Sequence, residues 1–338
     1  MTRLQFTRAA ATVLASTLLL AACSGNGGDD DPTTEPTAGG EEPTESISVG
    51  ITQIVSHPSL DAARDGFKAA LADAGYDVTY EEENAQGDQS IAASIAGTFA
   101  SGDLDLVLAI ATPTAQAVAQ AITDVPVFFT AVTDPVDAGL VDSLESPGGN
   151  VTGTSDAVPV RDLLELVQRL APDAESIGIV YNPGEPNAVT QVGWAEEAAD
   201  ELGLTIELAT ADTSNGVQQA ADSLDVDAFF VITDNTVVSA LEALIQVAEA
   251  KQIPVVASEG DSVARGAIAT VGISYYDLGY QTGEMAVKVL RGEATTEELP
   301  VESSTSLAVY LNTGAAERMG VTIPEDLLAE ADPENITE

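Results

Sequence analysis

A chain of 338 residues with 45% hydrophobic content holds enough apolar material for two domain-sized cores, which excludes wholesale disorder despite a net charge of −44. Eleven Lys and Arg against 55 Asp and Glu leave no basic cluster for phosphate, so a nucleic-acid partner is excluded, and an anionic lipid surface would repel the chain for the same reason. One Cys and one His exclude an internal disulfide, a Cys-rich zinc site and most His-based catalytic sets.

Arg3 and Arg8 precede an uncharged run of small and apolar residues, 9–22, which has signal-peptide proportions and is short for a bilayer span. The run ends Leu20-Ala21-Ala22-Cys23, which resembles the bacterial lipobox, whose Cys is lipidated and becomes the mature N-terminus. The only Cys of the chain, Cys23, stands at that position, so membrane anchoring through a lipid, outside the cytoplasm, is expected. Residues 24–46 carry acids, no bases and no aliphatic side chain larger than Ala, the composition of a flexible, self-repelling tether. Cleavage after Ala22 takes two arginines and no acid, moving the charge from −44 to −46.

From residue 47 strands and helices alternate. Residues 47–52 form a strand pattern, and 58–75 a helical one, with Leu60, Ala63, Phe67, Ala70, Leu71 and Ala74 on one face. Strands follow at 77–82, 104–110 and 125–130, with helices at 88–101 and 113–122 between and before them. The continuous apolar runs at 104–110 and 125–130 suit parallel strands buried on both faces, joined by right-handed crossovers. After a break at 148–160 the order repeats: helix 160–171, strand 176–181, helix 185–202, strand 205–209, helix 214–224, strand 228–233, helix 237–250, and strands at 255–257 and 267–271. A helix at 277–290, a strand-like 304–311 and a helix at 313–319 complete the chain. The fold class is α/β, with two Rossmann-like lobes built on parallel sheets.

Catalytic signatures are missing. No P-loop and no dinucleotide fingerprint occurs. Gly153-Thr154-Ser155-Asp156-Ala157 approaches a nucleophile elbow but has Ala157 where Gly is needed, and His57 beside Pro58 reads as a helix-start residue. No enzyme activity, no cofactor and no metal site is expected.

Ligands of open α/β sheets bind outside the carboxyl ends of the strands. The residues there are Gln53, Ile54 and Val55 after the first strand, Thr112, Pro113 and Thr114 after the third, and Thr133 and Asp134 after the fourth. In the second unit they are Tyr181, Asn182, Glu185 and Asn187, then Asp234 and Asn235, then Glu259. Each hydroxyl, amide or carboxylate suits an N-cap, yet the clusters around Glu185 and Asp234 hold more polar groups than one cap needs. Phe128, Phe129, Phe229 and Phe230 lie within strands and Trp194 within a helix, where core packing is their role.

Lipobox, tether and tandem α/β units together resemble a substrate-binding lipoprotein of an ABC transporter with the type I periplasmic-binding-protein fold. Gln53-Ile-Val-Ser-His57-Pro-Ser-Leu-Asp61, Gly66-Phe67, Ala111-Thr112-Pro113-Thr114-Ala115, Asp134-Pro135, Tyr181-Asn182-Pro183-Gly184-Glu185-Pro186-Asn187 and Thr233-Asp234-Asn235-Thr236 are similar to the branch that includes tryptophan/tyrosine-type binding proteins. The resemblance implies three inter-lobe crossings, expected near 155–160, 274–277 and 311–314. Residues 47–157 with 277–311 would form the N-terminal lobe, and 158–276 with 312–330 the C-terminal lobe. It implies a monomeric receptor that takes a small molecule in the cleft and delivers it to permease and ATPase subunits. An amino acid fits: its ammonium would meet Asp234, or else Glu185 or Glu259, its carboxylate Thr112–Thr114 and Thr133, and an aromatic side chain Ile54, Val55, Pro113 and Tyr181. The alternatives are a lipid-anchored sensor of the same fold, or a binding protein for a sugar or another solute.

Overall fold

The structure, a computed structural model, describes residues 46–304 and 307–338. The expected leader, Cys23 and the acidic segment through residue 45 lie outside the described residues.

The first half runs β1 (Ser46–Gln53), α1 (Pro58–Asp73), β2 (Asp77–Asn84), α2 (Gln89–Phe99), β3 (Leu106–Ile110), α3 (Thr112–Ala121), β4 (Val127–Val132) and β5 (Val151–Ser155). Every residue of β3, β4 and β5 is buried, as strands covered by helices on both faces require, whereas β2 alternates at the sheet edge. Pro58 starts α1 because the first helical N–H has no acceptor in any case.

The second half runs α4 (Val160–Leu170), β6 (Ser176–Tyr181), α5 (Pro186–Leu202), β7 (Thr205–Thr210), α6 (Val217–Ser223), β8 (Ala228–Val231), α7 (Asn235–Val238), α8 (Leu241–Lys251), β9 (Val255–Ala257), α9 (Gly260–Ala264) and β10 (Ala269–Gly272). Then come α10 (Tyr275–Leu290), β11 (Glu302–Ser303), β12 (Ala308–Asn312), α11 (Thr313–Arg318), α12 (Glu325–Glu330) and β13 (Ile336–Thr337).

Two sheets result. One has the order β11-β5-β4-β3-β1-β2 and is parallel throughout. The other has the order β13-β12-β10-β9-β8-β6-β7 and is parallel except where β12 runs against β10. Antiparallel pairing needs no crossover helix, so a sheet can accept it for a late strand. Helix α10 returns to the first sheet and lies on α1 at backbone contact. A Cβ on Gly279 would stand 1.8 Å from the Ala63 carbonyl oxygen, and one on Gly66 2.0 Å from that of Tyr276.

Three local expectations change. Residues 151–155, read as a break, form the buried strand β5, short and interrupted by Gly153. The helix expected over 237–250 is two, α7 and α8, separated by Ser239 and Ala240. Strand β12 belongs to the second sheet, pairing Leu311 with Ala269, so the last crossing lies before Ala308 and not at 311–314.

Candidate functional site

Both sheets contain the same inner order, β2-β1-β3-β4-β5 and β7-β6-β8-β9-β10, in which the winding direction reverses beside the first strand. A crevice opens at such a reversal, outside the carboxyl ends of the strands. A narrow cavity lies there. From the first sheet's side it is lined by His57, Ser59 and Leu60 after β1, Ala131 in β4 and Asp156 after β5. From the second it is lined by Asn187, Thr233, Asp234, Asn235, Val238 and Glu259, and Tyr275 at the start of α10 closes it. A second cavity of about 470 Å³ shares Asn235 with the first and is lined by Ile54, Val55, Gln86, Glu185, Asp212 and Thr236 among others.

The α1 end of the cavity is short of partners. Ser59 Oγ and both ring nitrogens of His57 are buried without a hydrogen bond, and so is Asn187 Oδ1. His57 occupies the N-cap position of α1 but does not cap it through its side chain. Burial, with the Arg265 charge behind it, pulls its pKa down to about 4 against the opposing pull of Asn235 and Asp61, so the ring is neutral. Gln53 fastens this loop rather than facing the cavity: its amide donates to the Val55 carbonyl at 2.8 Å and to Asp61 at 2.9 Å.

Three carboxylates face the cavity. Asp156 accepts from the Thr133 hydroxyl at 3.0 Å and from the Tyr275 hydroxyl at 2.5 Å. Asp234 accepts the backbone N–H of Asn182 at 2.5 Å and that of Val237 at 2.9 Å, capping α7. Glu259 accepts the backbone N–H and the hydroxyl of Ser262. Burial raises all three: Glu259 to about 7 with help from Asp261, Asp156 above its ordinary range, and Asp234 well above, with the Glu185 charge adding to burial. Ala131 has φ of 57°, a left-handed conformation that costs an Ala roughly 1 kcal/mol and bends β4 where it meets the cavity.

Of the residues expected from the sequence, Asn187, Asp234, Asn235 and Glu259 line the first cavity, and Ile54, Val55, Glu185 and Asn235 the second. Thr133 stands one bond behind Asp156. Glu185 is consumed within its own lobe, accepting from the backbone and side chains of Asn235 and Thr236 at 2.6–3.0 Å. Asn182 bonds Thr236 and Gly184, Asp134 closes the turn over Val136 and Asp137, and Thr114 bonds back to Ile110 and Ala111. Thr112, Pro113 and Tyr181 line neither cavity. His57, Ser59, Leu60, Ala131, Asp156, Thr233, Val238 and Tyr275 were not among the expected ligand contacts, although His57, Ala131 and Thr233 stand at strand ends. The available signals were the buried helix start after β1 and a lone acid among hydroxyls, Thr154-Ser155-Asp156.

The two halves touch across the cleft. Thr133 meets Thr233 at 3.3 Å, and Gln191 of α5 donates to both. Thr190 donates to Asp137 at 2.7 Å, and Gln89 of α2 to the Gly184 carbonyl at 2.8 Å. The arrangement is closed.

The comparisons agree with this geometry. The family described as ABC transporter substrate binding protein matches residues 48–334. A tyrosine-binding protein of Clostridioides difficile is 44% identical over 78% of each chain. An ABC domain from Streptococcus pneumoniae in complex with L-Trp is 36% identical, covers 87% of this chain and all of its own, and superposes with a TM-score of 0.82. A ligand-free, open substrate-binding protein with adhesive properties from Clostridium difficile is 42% identical over 86% of this chain and 98% of its own, yet its TM-score is 0.65. The relative with higher identity superposes worse, as a different lobe arrangement produces. Among the described residues no helix is long and apolar enough to cross a membrane. The chain belongs to the ABC transporter substrate-binding protein family and is the solute-binding component that works with the other parts of such a transporter.

Proposed function

We propose that the protein captures an L-amino acid with an aromatic side chain in the cleft between its two sheets. The observation that carries this reading is the charge inventory of the first cavity: Asp156, Asp234 and Glu259 line it and no Lys or Arg does. Carboxylates whose pKa values rise in burial lack a positive partner, and an α-ammonium supplies one. A sugar brings no cation. Leu60, Ala131, Val238 and the Tyr275 ring offer apolar surface for a side chain. The tyrosine-binding and L-Trp-bound relatives support the choice of side chain.

The protein acts as a receptor and not as an enzyme. Ser59 Oγ makes no hydrogen bond, so it has no general base. It is held outside the cytoplasm by a lipid on Cys23, with the acidic segment as tether, works as a monomer, and closes its lobes about the crossing segments on ligand. Titration calorimetry of the purified protein against the L-amino acids and common sugars tests the ligand class. Binding of L-tyrosine or L-tryptophan is expected, and saturation by a sugar alone would refute it. Cys23→Ala is expected to move the protein from the membrane to the soluble fraction, and retention would remove the anchor.

A further inference from the structure

We infer that Asp156, and not Asp234, takes the ligand's α-ammonium, while Ser59 and His57 at the start of α1 take its α-carboxylate. This assignment rests on the amino-acid reading above and deepens it.

The two aspartates are held by different donors. Each oxygen of Asp234 accepts a backbone N–H of its own lobe, from Val237 and from Asn182. Those donors are fixed by the fold, and the carboxylate is completely buried behind the first turn of α7. Asp156 accepts side-chain hydroxyls from two other segments, Thr133 on Oδ1 and Tyr275 on Oδ2. A carboxylate oxygen accepts two hydrogen bonds, so a lone pair on each remains for a cation, and hydroxyls can turn to admit one. Asp156 also sits in the segment that leaves β5 for α4, and Tyr275 begins the helix that returns. An ammonium at Asp156 therefore ties the ligand to both of these crossing segments.

The opposite pole is the start of α1, a helix of 16 residues. Its first N–H groups, on Ser59 and Leu60, have no acceptor within the helix, and a helix start favours an anion. Ser59 is 1% and His57 7% exposed, and their polar side-chain atoms are unpartnered in the wall of the cavity. Arg265 lies behind that wall, donating to the carbonyl of Val238 at 2.8 Å. Asp156 thus offers an acidic pole and the α1 start a donor-rich one, which gives a zwitterion a preferred orientation.

Titration calorimetry of the full chain with L-tyrosine and L-tryptophan, each beside its decarboxylated and its des-amino analogue, tests the assignment. Wild-type protein that binds none of these amino acids removes the amino-acid reading itself. With either amino acid bound, Asp156→Asn is expected to weaken it by about a hundredfold or more while weakening the des-amino analogue less than about threefold. Ser59→Ala is expected to weaken the amino acid about tenfold and to leave the decarboxylated amine within about threefold. A larger loss of the amino acid in Asp234→Asn than in Asp156→Asn overturns the assignment. So does an equal loss of amino acid and des-amino analogue in Asp156→Asn. Should Asp156→Asn fail to fold, the wild-type series decides alone: a des-amino analogue that binds within about threefold of its amino acid overturns the assignment.

Discussion

Asp156 and Asp234 are both buried, both raised in pKa and both at the wall of one cavity, yet they are held in opposite ways. Asp234 is braced by two backbone amides and sits next to Glu185, itself bonded to Asn235 and Thr236. Asp156 is held by two hydroxyls on separate segments. A carboxylate bound by backbone N–H groups stabilises the loop it caps, because those groups have no other acceptor. A carboxylate held by rotatable hydroxyls is costly to bury and is free to change partners. The difference separates a part of the scaffold from a part of the site.

The largest expected effect is on the scaffold side. Asp234→Ala leaves the N–H groups of Asn182 and Val237 without acceptors, at about 1–3 kcal/mol each, the second of them being the cap of α7. Chemical denaturation of the unliganded protein is expected to show a loss of about 3 kcal/mol or more. A loss below about 1 kcal/mol would place Asp234 with Asp156 and dissolve the contrast.

Glu259 stands between the two, accepting both the backbone N–H and the hydroxyl of Ser262. Burial and Asp261 move its pKa from 4.5 up to about 7, so the folded protein binds that proton more tightly than the unfolded chain. The stability it contributes is present in full below pH 4.5 and is lost as pH rises through about 7. His57 moves the other way, from 6.5 to about 4, so its contribution is present above pH 6.5 and lost as pH falls through about 4. Measured from pH 4 to 8, the stability of wild type relative to Glu259→Gln is expected to decline by about 3 kcal/mol, and relative to His57→Gln to increase by a similar amount. Parallel curves would mean that neither group changes protonation on folding.

The scaffold was more legible in the sequence than the site. The continuous apolar runs at β3 and β4 and the capped, periodic pattern of α1 identified their elements, because burial on both faces and on one face leave different periods. Glu185 and Asn187 after β6 and Asp234 and Asn235 after β8, which line the two cavities, were legible because strand ends in this architecture point at the crevice. Asp156 was not, because a crossing segment has no period and Val151–Ser155 is too short and glycine-broken to announce a strand. Nor could the sequence say that Thr112 and Thr114, with the same local chemistry as Ser59, would fall outside both cavities. That depends on which side of the winding reversal each helix packs, a tertiary fact.

A smaller effect concerns the hydroxyl side of the contrast. Gln191 donates across the cleft to Thr133, which in turn holds Asp156, and within its own half it exchanges hydrogen bonds with Thr233. Gln191→Ala removes the contact to Thr133, which is made only when the lobes are closed. Affinity for the best amino acid is expected to fall about tenfold, or 1.4 kcal/mol, and unfolding free energy by about 1 kcal/mol, because the Thr233 N–H also loses its acceptor. Small-angle scattering of the unliganded variant is expected to show a larger radius of gyration than wild type. An unchanged affinity would mean that this bridge does not favour closure.

The smallest effect has the opposite sign to the first. Asp156 is 3% exposed, and burial is the main reason its pKa is raised. Its folded pKa lies above the unfolded one, so at neutral pH its charge opposes folding; the stability it contributes belongs to low pH and is lost as pH rises through the folded value. Asp156→Asn keeps the shape and one acceptor while removing the charge. Without ligand, denaturation at pH 7.5 is expected to show the variant about 1 kcal/mol more stable than wild type, the trade that binding sites commonly make between stability and function. With a saturating amino acid the order is expected to reverse, because ligand stabilises only the form that binds it. A variant destabilised in both conditions would place Asp156 in the scaffold beside Asp234, since a charge that serves only the ligand cannot also be needed by the empty fold.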